Sequence, residues 1–393
     1  MSSTERVPEQ AARARRALCL LAIALVCSMA TWFSASAVIP QLRADWGLSR
    51  GAASWLTIAV QLGFVAGALA SSLVNLADVV PPRLVIFGGA LGAAGANALL
   101  ALAHGPGAAI PLRFATGFCL AGVYPPALKL MSTWFRRGRG TALGILVGAL
   151  TLGSASPHLV NGLGGLGWRS VIAVTSILTV VGGVIALLAV PEGPYPFPRA
   201  VVDPSQVRLV FANRGVRLSS LGYFGHMWEL YAMWAWFFAF ASDALFASRS
   251  AAALTTFAVI GVGALGCVVG GLLGDRFGRA ETTAAAMLCS GLCALTIGLL
   301  PKWAALAVAL VWGFTVVADS AQFSTLVTEH AEQAYVGTAL ALQLAVGFTL
   351  TVATIWLIPI ARDAVGWRWA FAILAVGPAL GVVAMSRLRR EPS

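Results

Sequence analysis

Six ionisable side chains lie inside long apolar stretches of this 393-residue chain: Arg113, Lys129, His158, His226, Glu229 and Asp319. A charge held in a bilayer costs about 2.5–3.5 kcal/mol on insertion scales, so each of these groups requires a cavity or a partner. Glu229 follows His226 by three residues, which puts both on one helical face with Met233 and Phe237. A carboxyl group in hydrocarbon is cheaper neutral than charged, the property a proton carrier needs. The alternative is a Glu229–His226 pair that satisfies a helix contact. Arg113 keeps its charge at physiological pH, and its forked donors suit an anionic solute. Its alternative role is a fixed counter-ion for Glu229 or Asp319. Asp319 and Gln322 repeat the three-residue spacing and offer hydrogen bonds to a substrate. Lys129 can snorkel toward a span end, and His158 follows Pro157, where a broken helix leaves a carbonyl to satisfy. Among the aromatic residues, Trp32 and Tyr124 are candidates to wall a cavity, although such rings more often pack or anchor.

The elements that must position these groups follow from composition. The chain is 59% hydrophobic and 10% charged, with a mean hydropathy of +0.85. A soluble protein carries about 25% charged residues, so this chain calls for a membrane. Twelve apolar stretches are long enough to span one: 17–42, 52–76, 84–104, 107–131, 140–163, 168–190, 216–241, 252–274, 280–300, 303–327, 336–361 and 367–387. Membrane strands would be about ten residues long and alternating. The expected class is therefore an all-α membrane protein with 12 transmembrane helices. Glu229 lies about 20 Å into span seven, near mid-bilayer.

The net charge of +11 is a topology signal. Basic residues concentrate on the side of the termini, in runs such as Arg13-Ala14-Arg15-Arg16, Arg136-Arg137 and Arg389-Arg390. Positive loops stay inside, so both termini are expected in the cytoplasm of a multi-pass cell-membrane protein. No basic patch interleaved with aromatics speaks for nucleic acid. Arg15-Arg16 before the first apolar run imitates a cleavable signal, but the run is long for one and its removal would leave an odd number of spans. The six cysteines lie within spans without a Cys-x-x-Cys pair, which supports neither disulfides nor zinc. No cofactor is implied, and the Gly-x-Gly-x-x-Gly strings at 162–167 and 261–266 follow no strand.

Short strings recur at an offset of about 197 residues. Gly140-Thr141-Ala142-Leu143 returns as Gly337-Thr338-Ala339-Leu340, Asp78 as Asp275, and Gly167-Trp168-Arg169 as Gly366-Trp367-Arg368. The chain therefore divides into two pseudo-symmetric six-helix bundles, 1–190 and 216–393. The cytoplasmic linker between them, 191–215, holds Pro191, Pro194, Pro196, Pro198 and Pro204.

After span eight, Gly271-Leu272-Leu273-Gly274-Asp275-Arg276-Phe277-Gly278-Arg279 resembles the Gly-x-Leu-small-Asp-Arg-x-Gly-Arg loop of the major facilitator superfamily. The matching loop after span two keeps Leu76, Asp78 and Arg83 but has Val74 and Pro81 in place of glycines. Span four, with Arg113, Gly117, Ala121, Gly122 and Pro125, is also similar to that family. The resemblance covers all twelve spans. It implies a bacterial transporter, not an enzyme, in which spans one, four, seven and ten line a central cavity. That cavity would take Trp32, Arg113, Tyr124, His226, Glu229, Asp319 and Gln322. It also implies gating loops built on Asp78 and Arg83, and on Gly271, Asp275, Arg276, Gly278 and Arg279.

Within the family, span five departs from the antiporter pattern at Pro157, His158 and Asn161. The run Gly225-His226-Met227-Trp228-Glu229-Leu230-Tyr231 resembles permeases grouped with cyanate and nitrate transporters, although spans two and eight lack the arginine of nitrate porters. With no Gly-x4-Gly-Lys-Ser/Thr loop, the energy source is expected to be a gradient. The expected function is proton-coupled symport of a small organic or inorganic anion by a monomer. Proton-linked efflux of hydrophobic compounds is the alternative, and a non-transporting membrane sensor the reading from another class.

Overall fold

A computed structural model describes residues 3–74, 76–135, 139–164, 166–195, 204–332 and 335–390. Among the described residues there are helices and turns but no strand. Among the described residues, ten stretches are long and apolar enough to cross a membrane by length and composition. One of them, 336–388, holds two helices, because Gly366 at φ +69° breaks Val336–Ala370. The helix Arg214–Phe240 is 27 residues long and carries the polar groups of span seven. It is not one of those ten stretches.

Polar caps set several helix starts. The Ser49 side chain accepts from Ala52 N ahead of Arg50–Leu73, Asn213 from Val216 N ahead of Arg214–Phe240, and Ser248 from Ala251 N ahead of Arg249–Gly261. Glycine sets the closest approach. Gly63 and Gly117 face each other's helices so closely that a Cβ on either would strike the carbonyl of Phe114 or Val60. Gly117→Leu is expected to abolish the folded, monodisperse protein, read by size-exclusion chromatography. A wild-type elution profile would contradict this packing.

Three spans expected as continuous helices are interrupted over several residues, and span eight at the single residue Val262. The first runs Ser3–Ser28, loosens through short 3-10 turns between Met29 and Val38, and resumes as Ile39–Trp46. Thr31, Ser34 and Ser36 fall in this stretch, and such side chains compete for backbone hydrogen bonds. The fourth stops at Leu120 and restarts at Tyr124, because Pro125 and Pro126 lack an N–H and clash with carbonyls four residues back, at Ala121 and Gly122. The tenth stops at Thr315 and restarts at Ser320. Irregular backbone at membrane depth is tolerated where protein buries it or where it lines a cavity. Trp32, Tyr124 and Asp319 all sit at these breaks.

Candidate functional site

Arg113 is fully buried, and its donors are taken by neutral acceptors. Nη1 donates to Thr31 O at 2.9 Å, Asn97 Oδ1 at 3.0 Å and Ser34 Oγ at 3.1 Å. Nε donates to Leu56 O at 3.3 Å, and Nη2 donates to Trp32 O. The guanidinium thus supplies the N–H groups that the broken first helix no longer provides for its own carbonyls. Asn97 is the other hub of this cluster. It accepts from Ser34 Oγ at 2.6 Å and donates to Ser176 Oγ at 2.9 Å and Ile172 O at 3.2 Å. With its donors so engaged, Arg113 in this conformation is not open to a solute, and no ion pair ties it to Glu229 or Asp319.

Glu229 and His226 share a helix face but not a partner. Glu229 is buried, and its carboxyl oxygens accept from Trp312 Nε1 at 2.7 Å and Ser290 Oγ at 2.8 Å. These donors come from spans ten and nine and carry no charge. His226 Nδ1 lies 2.8 Å from Asp319 Oδ1, with both side chains buried. The contact is short enough for an ion pair but lies off the hydrogen-bonding line, since Asp319 Oδ1 is without a hydrogen-bond partner among the described residues; the other ring nitrogen, His226 Nε2, is without one too. Spans seven and ten are thereby joined by a buried acid and base. Tyr223 and Phe323 flank the imidazole with ring centroids 6.1 and 5.5 Å away.

Between the two sets of helices, an aromatic cluster fills mid-depth. Trp32 meets Phe64 at 4.8 Å, Tyr231 at 5.9 Å and Phe348 at 6.0 Å, and Phe33 meets Trp234 at 5.8 Å. The indole N–H groups of Trp32 and Trp234 have no hydrogen-bond partner among the described residues. Tyr124 is half-buried and packs against this core. Beyond the cluster, at the end away from the termini, a cavity of about 460 Å³ opens between spans one, seven and eleven. That volume suits a small solute.

At the terminal end, Asp275 lies beside Gly140, where an added Cβ would sit 3.3 Å from both carboxylate oxygens. This is the first turn of Arg139–Gly162, where a helix favours negative charge. Asp275 also pairs with Arg279 at 3.0 Å, and Arg279 reaches Glu329 at 2.9 Å and Gln322 Oε1 at 2.8 Å. Gln322 donates in turn to Gly270 O at 3.1 Å. It therefore joins this loop network, where the three-residue spacing from Asp319 had suggested a bond to substrate. Gly278 has φ +100°, a left-handed turn that L side chains adopt only with strain. Gly271 lies against Gly140. The Arg276 guanidinium covers the Phe277 ring at 5.1 Å. Arg83 is exposed, and the Asp78 side chain lies outside the described residues.

Reasoning from spacing missed Asn97, Ser290 and Trp312, none of which belongs to a recognisable motif. Asn97 was visible as a lone amide in span three. Nothing in the string pairs Ser290 or Trp312 with Glu229.

Residues 21–355 match the family model described as Major Facilitator Superfamily. The chain is 24% identical over 306 residues to the gallate transporter of Pseudomonas putida, covering 67% of this chain and 66% of that protein. It is 30% identical over 164 residues to the probable actinorhodin transporter of Streptomyces coelicolor, covering 40% of this chain and 28% of that protein. It is also 30% identical over 190 residues to the cephamycin export protein of Amycolatopsis lactamdurans, covering 47% and 38%. The matched regions thus fall short of two thirds of each relative's length. The fold is similar to that of a bacterial homolog of the human lysosomal transporter Spinster in an inward-facing, unoccupied conformation. That match has a TM-score of 0.73 at 15% identity and covers 97% and 99% of the two chains.

Proposed function

Because the chain belongs to the Major Facilitator Superfamily and is a membrane transporter rather than an enzyme, we propose that it moves a small organic anion across the cytoplasmic membrane by alternating access, coupled to protons. The observation that carries the coupling is Glu229. Among the described residues it is a buried carboxyl held by the neutral donors of Ser290 and Trp312 and by no ion pair, so it gains and loses a proton without breaking one. One turn away, His226 and Asp319 place a second buried acid and base 2.8 Å apart. Arg113 holds the break in span one, beside the buried Trp32.

The halves 1–190 and 216–393 move against each other about the linker 191–215. The contacts among Asp275, Arg279, Glu329 and Gly140 close the terminal end and part when it opens. Asp78 and Arg83 form the corresponding loop of the first half, and both termini face the cytoplasm of a monomer. Organic anions are favoured over inorganic ones because the cavity is large for nitrate or cyanate and because the relative matched over most of this chain is named for gallate.

Efflux of a larger organic compound is the second reading, favoured by the relative named for cephamycin export. A thermal-shift screen of the purified protein separates the two, since a ligand stabilises the state it binds. Small aromatic and aliphatic carboxylates are expected to raise the melting temperature. Stabilisation by lipophilic cations alone would overturn the anion reading.

A further inference from the structure

The cavity at the end away from the termini gathers more fixed positive charge than its surroundings neutralise. Arg43, Arg249 and Arg362 line it, with Asp243 as the acid of the lining. Arg362 is committed elsewhere, bonding Asp363 at 3.0 and 3.2 Å and lying 3.6 Å from Asp243. Arg50 also pairs with Asp363. Arg43 stands apart. It is half-buried and makes no hydrogen bond or ion pair among the described residues. Its pKa is drawn below the ordinary arginine value by burial and by the nearby charges of Arg362 and Arg50, with Asp243 opposing. A guanidinium with no direct ion-pair partner among the described residues, beside two others, is the arrangement that an anion completes, and its fork matches a carboxylate.

The inner wall of the same cavity is aromatic. Trp236 and Phe238 line it from span seven. Trp236 is fixed by donating to Ile355 O at 2.9 Å, and Phe238 is backed by His158 with ring centroids 5.5 Å apart. Both His158 nitrogens are buried without a partner among the described residues, so polar groups wait behind the aromatic wall. Trp236 and Phe238 are 5% and 2% exposed, so they form a closed apolar floor on which a ring can rest, and a lipophilic cation would meet the arginines. At about 460 Å³ the cavity accommodates a single substituted ring.

We propose that this vestibule selects aromatic carboxylates before they enter the transport path, with Arg43 anchoring the carboxylate and Trp236 and Phe238 covering the ring. The assignment rests on the reading of the chain as an organic-anion transporter and names the class of anion. Steering by the three arginines would also gather such anions at the mouth of the cavity.

The test is calorimetric titration of the purified full-length protein with 4-hydroxybenzoate, using 4-hydroxybenzyl alcohol as its uncharged counterpart. The carboxylate is expected to bind and the alcohol to bind at least about tenfold more weakly. Arg43→Gln is expected to weaken carboxylate binding by about tenfold or more, and Arg43→Lys to recover part of it. Arg249→Gln provides a second rim variant should Arg43→Gln fail to fold. Equal binding of acid and alcohol, or a correctly folded Arg43→Gln protein with wild-type affinity, would overturn the vestibule assignment. A wild-type protein that binds 4-hydroxybenzoate through Arg43 but carries no solute into vesicles would overturn the transport reading and leave the vestibule site standing.

Discussion

Glu229→Gln is expected to abolish solute accumulation driven by a pH gradient, on the order of 100-fold or more, while leaving exchange of internal for external solute in place. The substitution is chosen because the site can absorb it. The amide oxygen can accept from Trp312 Nε1, as one carboxyl oxygen does at 2.7 Å, and the amide nitrogen can donate to Ser290 Oγ, now at 2.8 Å from the other oxygen. Packing and shape are therefore kept while the titratable proton is lost. Exchange needs only the opening and closing of the two ends, whereas accumulation needs a proton bound on one side and released on the other. Proteoliposomes carrying the variant, assayed in both modes, make the check. Gradient-driven accumulation at wild-type level would remove Glu229 from the coupling pathway.

Arg113→Leu is expected to cost about 3 kcal/mol of stability, with or without solute. Leucine fills part of the space but offers no donor. The carbonyls of Thr31, Trp32 and Leu56 would then be left without Arg113, together with Asn97 Oδ1 and Ser34 Oγ. Ser34 and Asn97 can still bond each other at 2.6 Å, and Thr31 O keeps Ser34 Oγ at 3.1 Å, but Trp32 O loses its side-chain donor. In hydrocarbon no water replaces the lost donors. Arg113→Lys should recover only part of the loss, because three donors on one nitrogen cannot span the same acceptors. Thermal unfolding in detergent reads the effect. A melting temperature within a degree of wild type would show that the break in span one does not depend on this guanidinium.

The apolar runs made the helices legible because a bilayer leaves the backbone few alternatives to helix. The Gly271–Arg279 loop was equally legible, since Gly278 needs its positive φ and Asp275 and Arg279 sit one turn apart. Less could be read of how each helix is turned about its axis. Helices apolar on nearly every face have no strong moment to fix that rotation. Spacing put His226 and Glu229 together, yet His226 meets Asp319 while Glu229 meets Ser290 and Trp312. Gln322 likewise turns to Arg279 and Gly270. The break in span four was announced by Pro125 and Pro126. In span one Pro40 stands at the start of the resumed helix, while the break in span ten has no proline; the irregular backbone of both is held by tertiary partners, Arg113 on Thr31 O and Cys267 Sγ on Val317 O, which a linear string does not reveal.

Proton coupling is the central claim, and the most direct test follows solute and protons together. Wild-type protein in liposomes with a pH-sensitive dye in the lumen is given labelled 4-hydroxybenzoate, with protein-free vesicles as the control for leakage. Coupled symport predicts that uptake acidifies the lumen in step with the label and that an alkaline lumen drives accumulation above equilibrium. Uptake that leaves lumen pH unchanged beyond the control, or that continues unaltered when the pH difference is collapsed, would contradict it.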